Sequence, residues 1–380
     1  MATESSGPVG TDRGALARIR GRLEGPNTIG NSRGFWLGFA VAVLALAAFP
    51  VVGSGESFSL FLVLALLGLS LSLVWGYSGV LSFGQVVFFG VGGYTFGVVS
   101  INFPDPTGIT AAAVAGVVGG GVTAALLGYF MFYGGVRDVY VTIITLVTTM
   151  AMHTFMAQTA GSAWTIGEAP LGGFNGMPGI PLLELGITGV GSFQFVYNEM
   201  SFLGLFAFDP FYYLALALLL ATYLGLRVLV NSDFGRVMVA VREDQDRTQM
   251  FGYDVKRIKL LTFTLGGALA ALSGVLYAAR NVYISPPVFA LWFATLPVIW
   301  VSVGGRKSLL GAVIATIAIE YFRLSVQGEM ALVVLGAMLL VFILALPGGI
   351  VPWVAGKLSE SAVPVSELDD ADAPGEVSES

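Results

Sequence analysis

Arg242, Glu243, Asp244, Asp246 and Arg247 crowd into one short stretch of a chain in which only 11% of residues are charged. Guanidinium and carboxylate groups side by side make charge-assisted hydrogen bonds, the strong kind, and a loop that carries both signs is suited to docking another protein in water. A solvated loop on the basic side of a membrane needs only a few Arg or Lys; it does not call for Glu243, Asp244 and Asp246 among them. Arg242 and Arg247 have a second reading, in which they simply hold Glu243 or Asp246 within one helix.

Other chemistry is thinly supplied. Cysteine is absent, which removes disulfides, thiolate nucleophiles and Cys-ligated metals. His153 is the single histidine, without a carboxylate at helical spacing, so a hydrogen bond to another helix is expected of it rather than a metal. Ser70, Ser72 and Ser82 lack the His and acid that would activate a nucleophile. Gly305-Arg-Lys-Ser308 has the end of a phosphate-binding loop but Arg306 where that motif needs Gly, and no early glycine. Glu320 and Arg323, three apart on one helix, read as a mutual ion pair, and Arg280 as a side chain reaching for the membrane surface.

The elements that must position these groups are apolar. Hydrophobic residues make up 56% of 380 and the mean hydropathy is +0.82, so the fold class is all-α, a polytopic membrane protein. Apolar runs of membrane-crossing length fall at 35–53, 58–76, 84–101, 109–133, 139–159, 211–230, 258–279, 289–304, 308–326 and 329–351, about ten transmembrane helices. The 289–304 run is short and contains Pro297, which suits a broken or re-entrant helix buried by its neighbours. Gly93 and Gly97, and Gly116 and Gly120, share helix faces at four-residue spacing and are expected at close helix crossings.

Residues 1–34 read as a polar cytoplasmic N-terminal tail, 35–352 as the transmembrane domain and 353–380 as an acidic tail; both tails are expected to be disordered. Seven acidic residues between Glu360 and Glu379 account for the net charge of −6, leaving the remainder near neutral. Basic clusters before the first span, after the fourth, between the sixth and seventh and near Arg306 all fall on one face of a ten-span chain. That face, with both termini, is expected to be cytoplasmic. Residues 161–209 contain no Lys or Arg and are expected outside, and 231–257 form the cytoplasmic loop. Asp233 as a cap and Gly252 as a left-handed terminator predict one short helix along the membrane surface.

A polar solute crossing an apolar bundle needs a few hydrogen-bonding groups on its path. Tyr77 and Gln85, beside Phe83, Phe88 and Tyr94, are the candidates; Gln85 could equally bond a neighbouring helix, and the aromatic rings could be core.

Asp246-Arg247-Thr248-x-x-x-Gly252 resembles the Glu-Ala-Ala-x-x-x-Gly coupling loop of ABC importer permeases, with Asp for Glu and Arg-Thr for Ala-Ala. Gly76 to Tyr94 (GYSGVLSFGQVVFFGVGGY), Leu171 to Gly176 (LGGFNG) and Val298 to Ala312 (VIWVSVGGRKSLLGA) resemble, in order, segments of the branched-chain amino acid and urea permeases of that class. The resemblance covers roughly 35–352 and is nearest to the urea type, although urea-type sequences commonly carry His where this chain has Gln85. It implies a subunit without its own catalytic site or bound cofactor, in which ATP is used by two partner ATPases that grip Arg236, Arg242, Glu243, Asp244, Asp246, Arg247 and Gly252. It also implies a homologous second permease, an extracytoplasmic solute-binding protein, and no nucleic acid. Urea or a short amide is the expected cargo, with branched-chain amino acids the alternative. An ion-coupled secondary transporter or channel is the competing class, but it would need charges in series at mid-membrane, where this chain has few.

Overall fold

The computed structural model describes residues 21–325 apart from 29, 53–54, 197–199 and 203–205, together with 333, 336–337 and 349–353. The acidic tail and most of the 329–351 run lie outside the described residues.

Nine of the ten apolar runs are helices. They are α1 (Arg33–Val52), α2 (Gly55–Leu71), α3 (Gln85–Asn102), α4 (Pro106–Tyr133) and α5 (Asp138–Gln158), then α6 (Pro210–Val230), α9 (Val255–Asn281), α10 (Leu291–Gly304) and α11 (Leu309–Ser325), with α7 (Asp233–Glu243) and α8 (Gln245–Met250) between α6 and α9. Seven are long and apolar enough to cross a membrane, α2 by counting the π-helical residues that continue it to Tyr77; α10 and α11 have 14 and 17 described residues and fall short of that length over them. Pro297 sits inside α10 and is buried, so the helix continues through it among its neighbours rather than breaking.

The most enclosed helix is α2, whose residues Leu62 to Leu67 are all but inaccessible. It runs on into a π-helical turn, Ser72–Tyr77, after which the chain leaves helix until Gln85 opens α3. α3, α4 and α9 close on one another through glycine. A Cβ on Gly116 would lie 2.7 Å from the Gly92 carbonyl oxygen, and one on Gly120 would lie 2.9 Å from that of Phe88 and 2.3 Å from Ala271 Cβ. Backbones meet directly here, as the four-residue glycine spacing predicts.

Between 161 and 209 the described residues form no α-helix; they carry two short 3-10 turns, Ser162–Trp164 and Gly173–Asn175, and small antiparallel ladders, an addition to the all-α expectation. These are β1 (Thr165–Ile166) with β2 (Ala169–Pro170), β4 (Glu184–Ile187) with β5 (Gly191–Gln194), and β6 (Met200–Phe202) with β7 (Phe206–Phe208). β3 (Met177–Pro178) instead pairs with β8 (Tyr283–Ile284) just after α9, pairing Met177 with Ile284. The LGGFNG turn makes that docking possible. Gly172, Gly173 and Gly176 all have positive φ, and a Cβ on Gly176 would meet the Ile284 carbonyl.

The N-terminal tail is not wholly disordered. Leu23, Gly30 and Asn31 are strapped across the end of α6 by Arg227, which is 1% exposed: its guanidinium donates to the carbonyls of Leu23 and Gly30, to Asn31 Oδ1 and to the Tyr223 hydroxyl, and lies 4.9 Å from the ring centres of both Phe35 and Trp36. Asn231 completes the strap, accepting from the Asn27 amide at 3.0 Å and donating to Thr28 Oγ1 at 3.1 Å.

Two membrane-depth expectations are settled by geometry. Arg323 donates to Glu320 Oε2 at 2.8 Å, the mutual pair expected, and the Glu320 side chain is completely buried. Arg280 is half-buried and donates to Ser59 Oγ at 2.7 Å, so it ties α9 to α2 rather than reaching for the surface. The His153 side chain, half-buried on α5, makes no hydrogen bond among the described residues, a correction to the interhelical bond expected of it.

Candidate functional site

The charged island is built on α7 and α8, and it is two helices rather than one. Ser232, not Asp233, caps α7, its Oγ accepting from the Gly235 amide at 3.3 Å. Asp244 breaks the rod: its backbone is extended at φ −158°, and its carboxylate accepts from the Arg247 amide at 2.9 Å to cap α8. Gly252 has φ +88° and ends the element as expected. Met238 and Val241 turn inward and are fully buried, which fixes α7 to the bundle.

Arg236, Glu243, Asp244, Asp246, Arg247 and Gly252 are exposed together. Arg236 pairs with Asp233, and Arg247 lies 3.5 Å from Asp244, not from Asp246. Arg242 is not exposed with them and takes the second reading, pairing with Glu243. Its side chain, 16% exposed, turns inward and donates from Nη1 to the Gly76 carbonyl at 2.5 Å while Nη2 reaches Glu243 Oε1. Glu243 also lies 3.5 Å from Lys307 Nζ. The hydrogen bond from Arg242, reinforced by the Arg242 and Lys307 charges, holds the Glu243 carboxyl below the usual carboxylate range.

Sequence reasoning missed the tip. Met250 is 86% and Phe251 76% exposed, with Tyr253 beside them, an apolar knob framed by charge. An exposed aromatic and a thioether next to Gly252, bracketed by Arg247 and Asp254, were the available signal.

The second candidate region is the gap between the π-turn and α3. Non-helical backbone at membrane depth must find partners within the protein. It finds them on α5, where Thr142 donates to the Leu81 carbonyl at 2.9 Å, Thr145 accepts from the Phe83 amide at 3.2 Å, and Thr149 donates to the Phe83 carbonyl at 3.2 Å. Gln85 is 1% exposed, its Oε1 3.2 Å from Ser70 Oγ on α2, while Nε2 has no partner among the described residues. Phe83 is half-buried on this clamp.

The remaining pathway candidates do not converge with Gln85. Tyr77 is buried at the other end of the gap, with its hydroxyl 3.3 Å from the Asn27 carbonyl oxygen and 3.4 Å from that of Lys307. Phe88 packs edge-to-face on Phe263 with ring centres 5.4 Å apart. Tyr94 lines a groove of about 280 Å³ that it shares with Val98, Met152, Met156, Leu171 and Phe289. No cluster of three or more His, Asp or Glu side chains forms among the described residues.

A bundle of apolar helices, interrupted at membrane depth and carrying one amphipathic, charge-framed element on its surface, defines a multi-pass membrane protein. Residues 55–343 match the family described as the branched-chain amino acid transport system permease component, and the chain belongs to that family. It is 28% identical over 341 residues to the high-affinity branched-chain amino acid transport system permease protein LivM of Escherichia coli K12, covering 84% of this chain and 76% of the relative. LivM of Salmonella typhimurium is 27% identical with the same coverage, and the autoinducer 2 import system permease protein LsrC of Klebsiella pneumoniae is 39% identical over 83 residues, 22% of each chain. No solved structure matches the chain.

The protein is therefore the permease of an ABC importer, a multi-pass inner-membrane protein of a class that works with ATPase and solute-binding partners. The expectation of urea or a short amide finds no support among these relatives. The branched-chain amino acid alternative fits them better.

Proposed function

We propose that this chain is one of two homologous permeases forming the membrane pathway of an importer for branched-chain amino acids. It has no catalytic site and binds no cofactor of its own; ATP is hydrolysed by two partner ATPases that dock on α7 and α8. The observation that carries the docking assignment is the knob of Met250, Phe251 and Tyr253, held out from the bundle among Asp244, Asp246, Arg247 and Asp254. An apolar anchor inside a charged rim is the usual anatomy of a protein interface. The same face carries both termini and is cytoplasmic, while the ladders of 161–209 lie outside and meet the solute-binding protein. The absence of Lys and Arg from 161–209 supports that orientation.

The cargo follows from the relatives' printed names rather than from any pocket in this chain. Proteoliposomes containing this chain, the second permease and the ATPases, supplied with the binding protein, should accumulate labelled leucine, isoleucine or valine only when ATP is enclosed. Uptake that proceeds without the ATPases on an ion gradient, or of urea in preference to leucine, would overturn the reading. Because the chain lacks cysteine, Ser192→Cys and Arg247→Cys variants test orientation: an impermeant maleimide added outside should label the first and spare the second.

A further inference from the structure

We propose that Arg242 is the positioning residue through which α7 moves the transmembrane helices, and that the π-turn Ser72–Tyr77 is the joint that yields. The inference rests on the importer reading above. Arg242 lies in the last turn of α7, yet its guanidinium faces away from the exposed docking surface. Nη1 donates to the Gly76 carbonyl at 2.5 Å, and the hydrocarbon stem lies along the backbone beyond it, where a Cβ on Gly79 would sit 3.0 Å from Arg242 Cγ.

Gly76 is held from its other side as well. A Cβ there would lie 1.9 Å from the Arg306 carbonyl oxygen, so the π-turn and the α10–α11 connection meet backbone to backbone. Glu243 spans the same joint, reaching Arg242 on one side and Lys307 on the other at 3.5 Å. Three elements thus share one point: the end of α7, the end of the α2 helix and the loop before α11.

The carbonyl chosen is a suitable one. Near the end of a helix, carbonyls lack intrahelical donors and carry the negative end of the helix dipole, so a guanidinium is favoured there. A π-turn has one residue more per turn than its surroundings accommodate easily and is found at functional bends. Immediately after it comes the non-helical stretch clamped by Thr142, Thr145 and Thr149, and then Gln85. A displacement of α7 is passed by Arg242 to Gly76, absorbed by the π-turn and delivered to the interruption between α2 and α3. Docking itself belongs to the Met250–Tyr253 tip, which Arg242 does not touch.

The test separates the two roles. In the complete complex, Arg242→Ala should retain co-purification of the ATPases and their hydrolysis of ATP while amino acid transported per ATP falls at least tenfold; Arg242→Lys, which keeps one donor for Gly76, should recover part of the loss. Met250→Ser with Phe251→Ser should instead lose co-purification. On the permease alone in lipid nanodiscs, Arg242→Ala should speed deuterium exchange at amides 72–84, whereas Gln249→Ala should leave it unchanged. Loss of ATPase binding by Arg242→Ala would make it a docking group and overturn the proposal, as would wild-type exchange at 72–84. If no ATPase binds the wild-type chain, the importer reading fails, and the exchange experiment still decides whether Arg242 holds the joint.

Discussion

Arg227 donates to Asn31 Oδ1 at 2.9 Å across a separation of 196 residues, tying the chain before the first span to the last turn of α6. The bond sits immediately before α7, which Ser232 caps five residues on. The strap therefore braces the root of α7 while the Met250–Tyr253 tip stays free.

Removing that brace should be costly. A hydrogen bond from a charged donor contributes about 1.5–3 kcal/mol, and Arg227→Ala deletes several at once and removes the cation from the faces of Phe35 and Trp36. Arg227→Lys should recover little, because an ammonium has neither the fork nor the flat face. Limited proteolysis in detergent is the measurement: cleavage between Gly21 and Asn31 should quicken in both variants.

The docking tip carries a different expectation. Burying a Met or Phe side chain is worth about 1.5–3 kcal/mol each, so Met250→Ser or Phe251→Ser should weaken ATPase association by roughly tenfold to a hundredfold. Insertion should be unaffected, because both side chains are exposed in the isolated chain. Titration of the ATPase against the nanodisc-held permease reads the difference directly.

The spans were legible in the sequence because each is an unbroken apolar run, and a run of that length reports itself without reference to any partner. The Gly116–Gly120 crossing was legible for the same reason, as spacing alone places both on one face. What escaped were features whose partner is distant or is backbone. Leu23 to Asn31 carry no local pattern announcing Arg227. The spacing of Thr142, Thr145 and Thr149 is visible, but the Leu81 and Phe83 backbone they hold leaves no mark in residue identity. The inward turn of Arg242 was not legible either, because charge alone does not reveal which way a side chain turns. Asp244 could have been found, since a short acidic side chain three residues before an amide is a capping signal even inside a charged run.

The threonine clamp makes its own prediction. Thr145→Val keeps the shape and removes the acceptor of the Phe83 amide, leaving a donor without its partner at a cost of about 1–3 kcal/mol. The interruption before α3 should loosen, with faster exchange at residues 81–84 and reduced uptake at unchanged ATPase co-purification. Thr148→Val, whose hydroxyl bonds only within α5 to the Ile144 carbonyl, is the control and should transport normally.

Glu243 gives the joint a pH dependence. Its carboxyl is held below the usual range, first by the Arg242 hydrogen bond and then by the Arg242 and Lys307 charges. A group whose folded value is depressed contributes stability above its unfolded pKa and loses it as pH falls through the folded one. The difference in exchange at residues 72–84 between wild type and Glu243→Gln should therefore hold steady from neutral pH to about pH 5 and close only below the ordinary carboxylate range. A difference that fades between neutral pH and about pH 6 would mean that some other group governs the joint.

Gly76 supplies the strictest test of the geometry, because the space for its side chain is already occupied. A Cβ would stand 1.9 Å from the Arg306 carbonyl oxygen, and the obstacle is backbone on both sides, with no rotamer to give way. Gly119, one of the α4 glycines, differs: a Cβ there meets only the Thr95 side chain at 3.3 Å, which can adjust. Gly119→Ala should therefore melt close to wild type. Gly76→Ala must push the π-turn off the 305–308 loop, and with it the carbonyl that Arg242 holds. The expected result is a several-degree loss in melting temperature together with uncoupled ATP hydrolysis; a Gly76→Ala chain that transports as wild type would mean that the two backbones do not meet there.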